Sequence, residues 1–147
     1  MNLYNSLRAR DQAGTPLRVG LIGCGKFASM YLAQLRSTLG VQLAGIADLA
    51  PQRAYDWLLR TGWNQEQLAT TTSTSEINAA AARQCVGITD DPTTLLQADL
   101  HVIIECTGDP EAGTRHALDA FSTGKHVVMV TVEADALLGP LLARAAA

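Results

Sequence analysis

The sequence predicts an α/β fold, built as a doubly wound parallel sheet with helices on both faces. Short, nearly all-apolar segments alternate along the chain with segments in which apolar residues recur at helical spacing. Strands this apolar are typical of a parallel sheet that is covered on both sides. The first of them, Leu17 to Ile22, leads directly into a glycine-rich turn and a helix, as expected for a strand–helix–strand unit.

Helix-capping residues, helix-breaking residues and hydrophobic periodicity predict where the remaining helices and strands lie. Asp91-Pro92 and Asp109-Pro110 each combine an N-cap residue with a proline at the first helical position, and glycines end several helical patterns. We therefore predict helices over residues 3–12, 26–39, 51–60, 92–97, 110–123 and 134–144. The predicted strands are residues 17–22, 41–47, 100–105 and 126–130, with a brief further strand at 86–89.

The segment from Gly62 to Arg83 is the least regular part of the sequence. Its polar run from Thr70 to Ser75 is typical of an exposed loop, and residues 77–83 favour a short Ala-rich helix. For the domain organisation, we expect an N-terminal helix and linker over residues 1–16. Residues 17–147 then form a single domain.

Composition excludes several classes of function. The 147 residues are 48% apolar and 17% charged, a composition typical of globular proteins. The net charge of −3 argues against the basic surface that binding to nucleic acid requires. The apolar runs are too short to span a bilayer, and Met1 to Arg10 lack a signal core. The three cysteines and three histidines lack disulfide-framework or metal-ligand spacing. We therefore expect a cytoplasmic protein without nucleic-acid, membrane or metal partners.

The motif Gly23-Cys24-Gly25-Lys26-Phe27-Ala28 has the G-x-G-x-x-A spacing that suits a dinucleotide pyrophosphate. Gly23 allows the tight turn, Gly25 lets the backbone approach the phosphates, and Ala28 lets the helix pack closely. The first N–H groups of that helix then face the anion. We predict cofactor contacts from Gly23, Cys24, Gly25, Lys26, Phe27 and Ala28. The alternative is a strand–helix turn of some other α/β protein.

Asp48 ends the second apolar strand about 20 residues after the glycine motif, where a carboxylate binds the adenosine ribose hydroxyls. Its alternative role is to cap the helix that starts at Pro51. Arg53 lies one turn into that helix, where it contacts the adenine or a 2′-phosphate, unless it is merely solvated. Asp48 gives NAD a slight preference over NADP as the cofactor.

Further polar residues follow the two later strands, at the same predicted edge of the sheet. Thr107 and Gly108 allow the nicotinamide ribose to approach closely, unless they only form the turn before the Asp109 cap. Glu133 is a candidate hydrogen-bond partner of that ribose or of a substrate. For Cys106, with Asp109 and His116 near in sequence, nucleophilic catalysis is weighed against simple packing at the cofactor floor.

The segments 18–25, 102–108 and 124–135 together resemble the NAD(P)-binding domain of the homoserine dehydrogenase-like oxidoreductases. The resemblance is closest to the bacterial branch whose longer members carry a C-terminal SAF-type domain. It implies a Rossmann-type domain that binds NAD or NADP, with cofactor roles for Gly23, Gly25, Asp48, Thr107 and Gly108. The cofactor exchanges hydride with a small carbonyl or hydroxyl substrate, held by a substrate domain outside these 147 residues.

The resemblance leaves the activity of the isolated chain open, and we expect that chain to be inactive. It also leaves room for a homo-oligomer. Two alternatives remain: a stand-alone dinucleotide-binding sensor, and the cofactor half of an enzyme similar to deoxyxylulose-phosphate reductoisomerase.

One segment departs from the family pattern. Homoserine dehydrogenases carry Thr-Ala-Asn-Lys after the fifth strand, and that lysine is important for catalysis. Here Val132-Glu133-Ala134-Asp135 lies at this place, so the resemblance does not imply homoserine as the substrate. Glu133 and Asp135 become the catalytic candidates, facing donor groups of a substrate or a bound cation. The alternative is that both carboxylates only favour the N-terminus of the final helix.

Overall fold

The structure is a computed structural model that describes residues 2–147. Its α-helices are α1 (Leu3–Gln12), α2 (Lys26–Leu35), α3 (Pro51–Arg60), α4 (Thr74–Ala82), α5 (Pro92–Leu96), α6 (Pro110–Ser122) and α7 (Val132–Ala145). Its strands are β1 (Leu17–Ile22), β2 (Val41–Ala47), β3 (Leu68–Thr70), β4 (Val86–Thr89), β5 (Val102–Glu105) and β6 (His126–Met129). A short 3₁₀ turn at Gln65–Gln67 precedes β3.

The described strands form one parallel sheet in the order β3-β4-β2-β1-β5-β6. The chain passes from β1 to its neighbour β2, then to the edge strand β3 and back inward to β4, before it crosses to the other side of β1 with β5. The predicted doubly wound parallel sheet is thereby confirmed. The reversal of strand order lies between β1 and β5, and in such sheets ligands bind at the carboxyl ends of the strands beside this switch point.

Successive residues of the central strands contribute to opposite faces of the sheet. Leu21 packs with α2 and α3 on one face, while its neighbour Ile22 packs with α4, α5 and α6 on the other. The buried helical residues of the first face are Ala28, Leu32, Leu35, Ala54 and Leu58. Those of the second are Ile77, Ala81, Leu95, Leu96 and Ala120. Helices cover both faces of the sheet, which explains why β1, β2, β4 and β5 are apolar almost throughout.

The prediction of an exposed loop over Thr70 to Ser75 is correct only in part. Thr70, Thr72 and Ser75 are exposed, but only residues 71–73 lie outside a helix or strand. Thr70 ends β3, and Thr71 is buried with its N–H and hydroxyl both donating to the Ile88 carbonyl, at 2.8 and 3.1 Å. Ser73 then caps α4 by accepting from the Glu76 N–H. A three-residue strand with one exposed residue carries no readable periodicity, so pairing with β4 decides its structure.

Several predicted boundaries also move. Helix α2 ends at Leu35 rather than at Leu39, because the Ser37 and Thr38 hydroxyls both donate to the Gln34 carbonyl that a continuing helix needs. Strand β5 begins at Val102 rather than at Leu100, and α7 begins at Val132 rather than at Ala134. Between residues 2 and 147, no helix is long and apolar enough to cross a membrane.

Candidate functional site: a cleft at the switch point

A cleft of about 440 Å³ opens at the carboxyl ends of β1, β2 and β5, beside the switch point of the sheet. Six of the residues that the sequence assigned to the cofactor line it: Gly23, Cys24, Gly25, Asp48, Arg53 and Thr107. Residues without such an assignment complete the walls, among them Leu49, Pro92, Cys106, Ala112, Arg115 and His116. The topology thus gathers separate sequence segments around one concave surface.

The two glycines of the motif have different structural roles. Gly23 has a φ of +90°, and a Cβ on it would lie 2.8 Å from the backbone N and Cα of Thr107. Gly25 has an ordinary φ of −89°, and a Cβ on it would meet nothing within 4 Å. Gly23 therefore lets the β1 and β5 loops touch, while the missing side chain of Gly25 leaves open space beside the start of α2.

Helix α2 begins at this open space without a side-chain cap, because its N-cap residue is Gly25. The first N–H groups of a helix lack intrahelical partners and carry the positive end of the helix dipole. Ala28 is fully buried under this turn, while Lys26 and Phe27 are exposed on it. The arrangement suits the diphosphate of a dinucleotide, which is the group that the spacing predicted.

Asp48 is buried and its carboxylate is fully engaged. Oδ2 accepts from the Cys24 N–H at 2.6 Å, and Oδ1 accepts from the Ala50 N–H at 2.8 Å. Arg53 Nη2 donates to both oxygens, at 2.7 and 2.9 Å. The bond to Cys24 fixes the glycine loop on β2, and the bond to Ala50 supports the turn into α3, whose N-cap residue is Ala50 itself.

Arg53 lies over this carboxylate with 54% of its side chain exposed, against 1% for Asp48. Its bonds fill the acceptor positions that a ribose hydroxyl would use, since a carboxylate offers about four. The guanidinium is half-exposed, whereas Asp48 is buried and held by two backbone N–H groups.

The cysteines of the cleft are not activated thiols. Burial and the Asp48 charge raise the pKa of Cys24 to about 12. Burial and the Glu105 charge likewise raise the pKa of Cys106 to about 12, and its Sγ lies 2.9 Å from the Gly23 carbonyl. A nucleophilic cysteine needs a lowered pKa, so the geometry favours the packing interpretation of Cys106.

Glu105 is the polar centre that sequence reasoning missed. It ends β5 with no exposed surface, yet its carboxylate accepts bonds from Thr107, Thr131 and His116. Burial alone would raise the pKa of Glu105, but these hydrogen bonds outweigh it and hold the pKa below its usual value. The available signal was a single carboxylate closing an otherwise apolar strand.

The remaining predicted residues lie around the cleft rather than in its lining. Gly108, with φ +76°, donates its N–H to Thr131 Oγ1 at 3.1 Å. Glu133 and Asp135 are exposed in the first turn of α7, where acidic residues stabilise a helix N-terminus. Asp135 lines a different cavity, with His126 and Gly139, so the structure does not bring it together with the cleft.

Comparisons with known proteins identify the family and the fold of this chain. Residues 23–147 match the family model described as "Homoserine dehydrogenase, NAD binding domain". No curated protein sequence matches the chain. The homoserine dehydrogenase of Thiobacillus denitrificans is structurally similar, with a TM-score of 0.57 and 20% identity, over 89% of this chain and 27% of that one.

Two other solved structures share the fold at lower identity. A myo-inositol dehydrogenase from Lactobacillus casei, in complex with NAD(H) and myo-inositol, has a TM-score of 0.56 and 16% identity over 78% of this chain and 28% of that one. A DOX-P reductoisomerase has a TM-score of 0.56 and 9% identity, over 88% of this chain and 34% of that one.

The chain thus spans between 27% and 34% of the length of these three structures, and the likeness to them shows the fold. The family match covers most of the sequence, and it confirms the resemblance carried by the glycine motif and the later segments. The chain therefore belongs to the family of homoserine dehydrogenase NAD-binding domains, and its cofactor is a nicotinamide dinucleotide.

Proposed function

We propose that this chain binds NAD(H) in the cleft between β1, β2 and β5, as the cofactor half of an oxidoreductase. The observation that carries the proposal is the open space at Gly25, which lies against the uncapped start of α2 and within the same cleft as Asp48. A diphosphate needs both the room and the N–H groups. When bound, the nicotinamide supplies the hydride.

In this proposal, different parts of the cleft bind different groups of the cofactor. The start of α2 holds the diphosphate, and Asp48 accepts a hydrogen bond from an adenosine ribose hydroxyl once Arg53 has turned aside. The Thr107–Gly108 loop receives the nicotinamide ribose. Because Gly23 already packs on the Thr107 backbone, the loops that serve the two halves of the cofactor are joined before any ligand arrives.

The choice between NAD and NADP depends on Asp48 and Arg53. A buried carboxylate accepts a bond from a 2′-hydroxyl and repels a 2′-phosphate, which favours NAD. Arg53 neutralises that charge in this structure and works in the other direction. Asp48 is fixed by two backbone N–H groups whereas Arg53 is largely exposed, so we keep a slight preference for NAD.

The substrate belongs to the proposal as a class: a small molecule with a carbonyl or hydroxyl group. Binding and orienting it falls to a part of the enzyme outside these 147 residues. Glu133 remains the predicted contact of this chain with that substrate, and its exposure on the first turn of α7 supports access from outside the domain. Asp135 lies instead at the separate cavity with His126 and Gly139, where its carboxylate favours the N-terminus of α7.

The test of cofactor binding is Gly25→Val, followed by calorimetric titration with NADH. A Cβ at this position has no neighbouring atom within 4 Å, and the φ of −89° suits any residue. The variant should therefore fold, while the branched side chain fills the proposed diphosphate position. We expect binding to be lost. Ala33→Val, which places the same side chain at an exposed position of α2, should bind like the original chain. Retained NADH affinity in a folded Gly25→Val would reject the site.

A further inference from the structure

Glu105 has a carboxylate that the proposed cofactor contacts do not use. It lies at the end of β5 with no solvent exposure, at the point where the chain leaves the sheet for the Thr107–Gly108 loop. Leaving a charge so deeply buried is costly unless strong hydrogen bonds compensate it. If this position served packing alone, an apolar residue would fill it without the desolvation cost of a buried charge.

The carboxylate holds both residues of that loop. Oε1 accepts from the Thr107 N–H at 3.2 Å and from its hydroxyl at 2.6 Å. Oε2 accepts from the Thr131 hydroxyl, and Thr131 Oγ1 in turn accepts from the Gly108 N–H at 3.1 Å. Glu105 therefore fixes Thr107 directly and Gly108 through one hydroxyl.

Two further elements pack onto the same carboxylate. His116 of α6 places Nδ1 3.5 Å from Oε1. A Cβ on Gly113, also in α6, would lie 2.9 Å from Oε2, so this helix approaches as closely as a glycine permits. Thr131 is the residue before α7. The carboxylate thus connects the end of β5 with α6 and the start of α7.

The ionised state gives these bonds a fixed direction. Hydrogen bonds from His116, Thr107 and Thr131 together lower the pKa of Glu105 against the effect of its burial. An ionised carboxylate only accepts, so both threonine hydroxyls must donate to it. The Thr131 oxygen then keeps its lone pairs for the Gly108 N–H, and the loop has one hydrogen-bonding arrangement rather than several.

We propose that Glu105 is a positioning residue that presets the Thr107–Gly108 loop for the nicotinamide half of the cofactor. The inference rests on the proposed function, in which this loop receives the nicotinamide ribose. Glu105 does not touch the cofactor itself, since it is fully enclosed. Because Glu105 already orders the loop, cofactor binding does not have to bear the entropic cost of ordering it.

The test compares two ligands on the 147-residue chain. NADH extends to the Thr107–Gly108 loop in the proposed mode, whereas ADP ends at the diphosphate. In Glu105→Gln, the side-chain amide introduces hydrogens where the threonine hydroxyls need acceptors. We expect the Kd for NADH to rise about tenfold or more while the Kd for ADP stays within about twofold.

Thr131 supplies an independent pair of variants that leaves the carboxylate in place. Thr131→Val removes the hydroxyl at nearly constant shape, and we expect it to reproduce the NADH-specific loss. Thr131→Ser keeps the hydroxyl and should bind both ligands like the original chain. Because this pair does not depend on Glu105→Gln being folded, it decides the question even if that variant is unstable.

The outcomes separate the two proposals. If the original chain binds neither NADH nor ADP, the proposed function fails. If it binds both, and neither Glu105→Gln nor Thr131→Val changes NADH affinity, Glu105 is only structural. An equal loss of NADH and ADP affinity also overturns the inference, because a general loss of stability would affect the whole cleft.

Discussion

Gly23 supports the fold through a contact that no larger residue can make. Its φ of +90° and the 2.8 Å approach to the Thr107 backbone both require glycine. We expect Gly23→Ala to lower the free energy of unfolding by about 3 kcal/mol, since strain and backbone overlap add. Urea unfolding measures this loss.

Gly14 provides the control for Gly23→Ala. It also has a positive φ, +66°, but a Cβ on it meets nothing within 4 Å. Gly14→Ala should therefore show only the conformational cost, about 1 kcal/mol. If the free energy of unfolding fell equally in the two variants, the contact between the loops after β1 and β5 would contribute nothing to stability.

Arg53 is the residue through which cofactor preference can be changed most directly. Arg53→Met keeps an apolar stem and leaves the buried Asp48 carboxylate without its cation. The free carboxylate then repels a 2′-phosphate more strongly, so we expect the ratio of the NADPH Kd to the NADH Kd to rise about tenfold.

Direct titration of both cofactors measures that ratio. Arg60→Met removes the same charge from the last turn of α3 and should leave the ratio unchanged. A ratio that stays constant in Arg53→Met as well would show that Arg53 does not face the 2′ position.

At the scale of elements, the short helix α5 depends on its cap. Asp91 accepts from the N–H groups of Thr93 and Thr94, at 2.8 and 3.3 Å, and from the Thr94 hydroxyl at 2.7 Å. The Thr94 hydroxyl and these backbone groups lower the pKa of Asp91. We expect Asp91→Ala to lower the free energy of unfolding by about 1 kcal/mol at pH 7.

The sign of the pH dependence follows from the lowered pKa. The contribution of Asp91 is fully present above the unfolded pKa of about 4 and is lost as the pH falls through the folded value. The difference between the original chain and Asp91→Ala should therefore narrow below about pH 4. Asp90→Ala, at the exposed neighbouring position, is the control, and a difference that does not change with pH would contradict the assignment.

At the scale of the whole molecule, we expect the chain to bind the cofactor without catalysing hydride transfer. The chain spans only 27% of the homoserine dehydrogenase structure that it resembles. Binding a cofactor does not orient a substrate, and orientation supplies much of an enzyme's rate. We predict that the 147-residue chain binds NADH but neither oxidises it with added keto substrates nor forms it from NAD⁺ with added homoserine-type alcohols.

Absorbance of NADH at micromolar chain concentrations measures this turnover. Heat-denatured chain sets the background rate. Steady NADH loss with a keto substrate, or steady NADH formation from NAD⁺ with an alcohol, above that background would show that the domain orients a substrate by itself.

The sequence by itself determined the parallel sheet, the glycine loop and the position of Asp48, because these depend on local patterns. Buried strands are apolar, the glycine motif follows β1 directly, and Asp48 directly follows β2. The notable local failure is β3, whose three residues are too short for a periodic signal.

Only the tertiary structure decided which distant groups meet. Gly23 packs on Thr107, and Glu105 gathers Thr107, Thr131 and His116. Strand order sets these contacts by making β5 the neighbour of both β1 and β6, and no local pattern encodes that order. A carboxylate that ends an apolar strand is visible in the sequence, but the partners that compensate its burial are not.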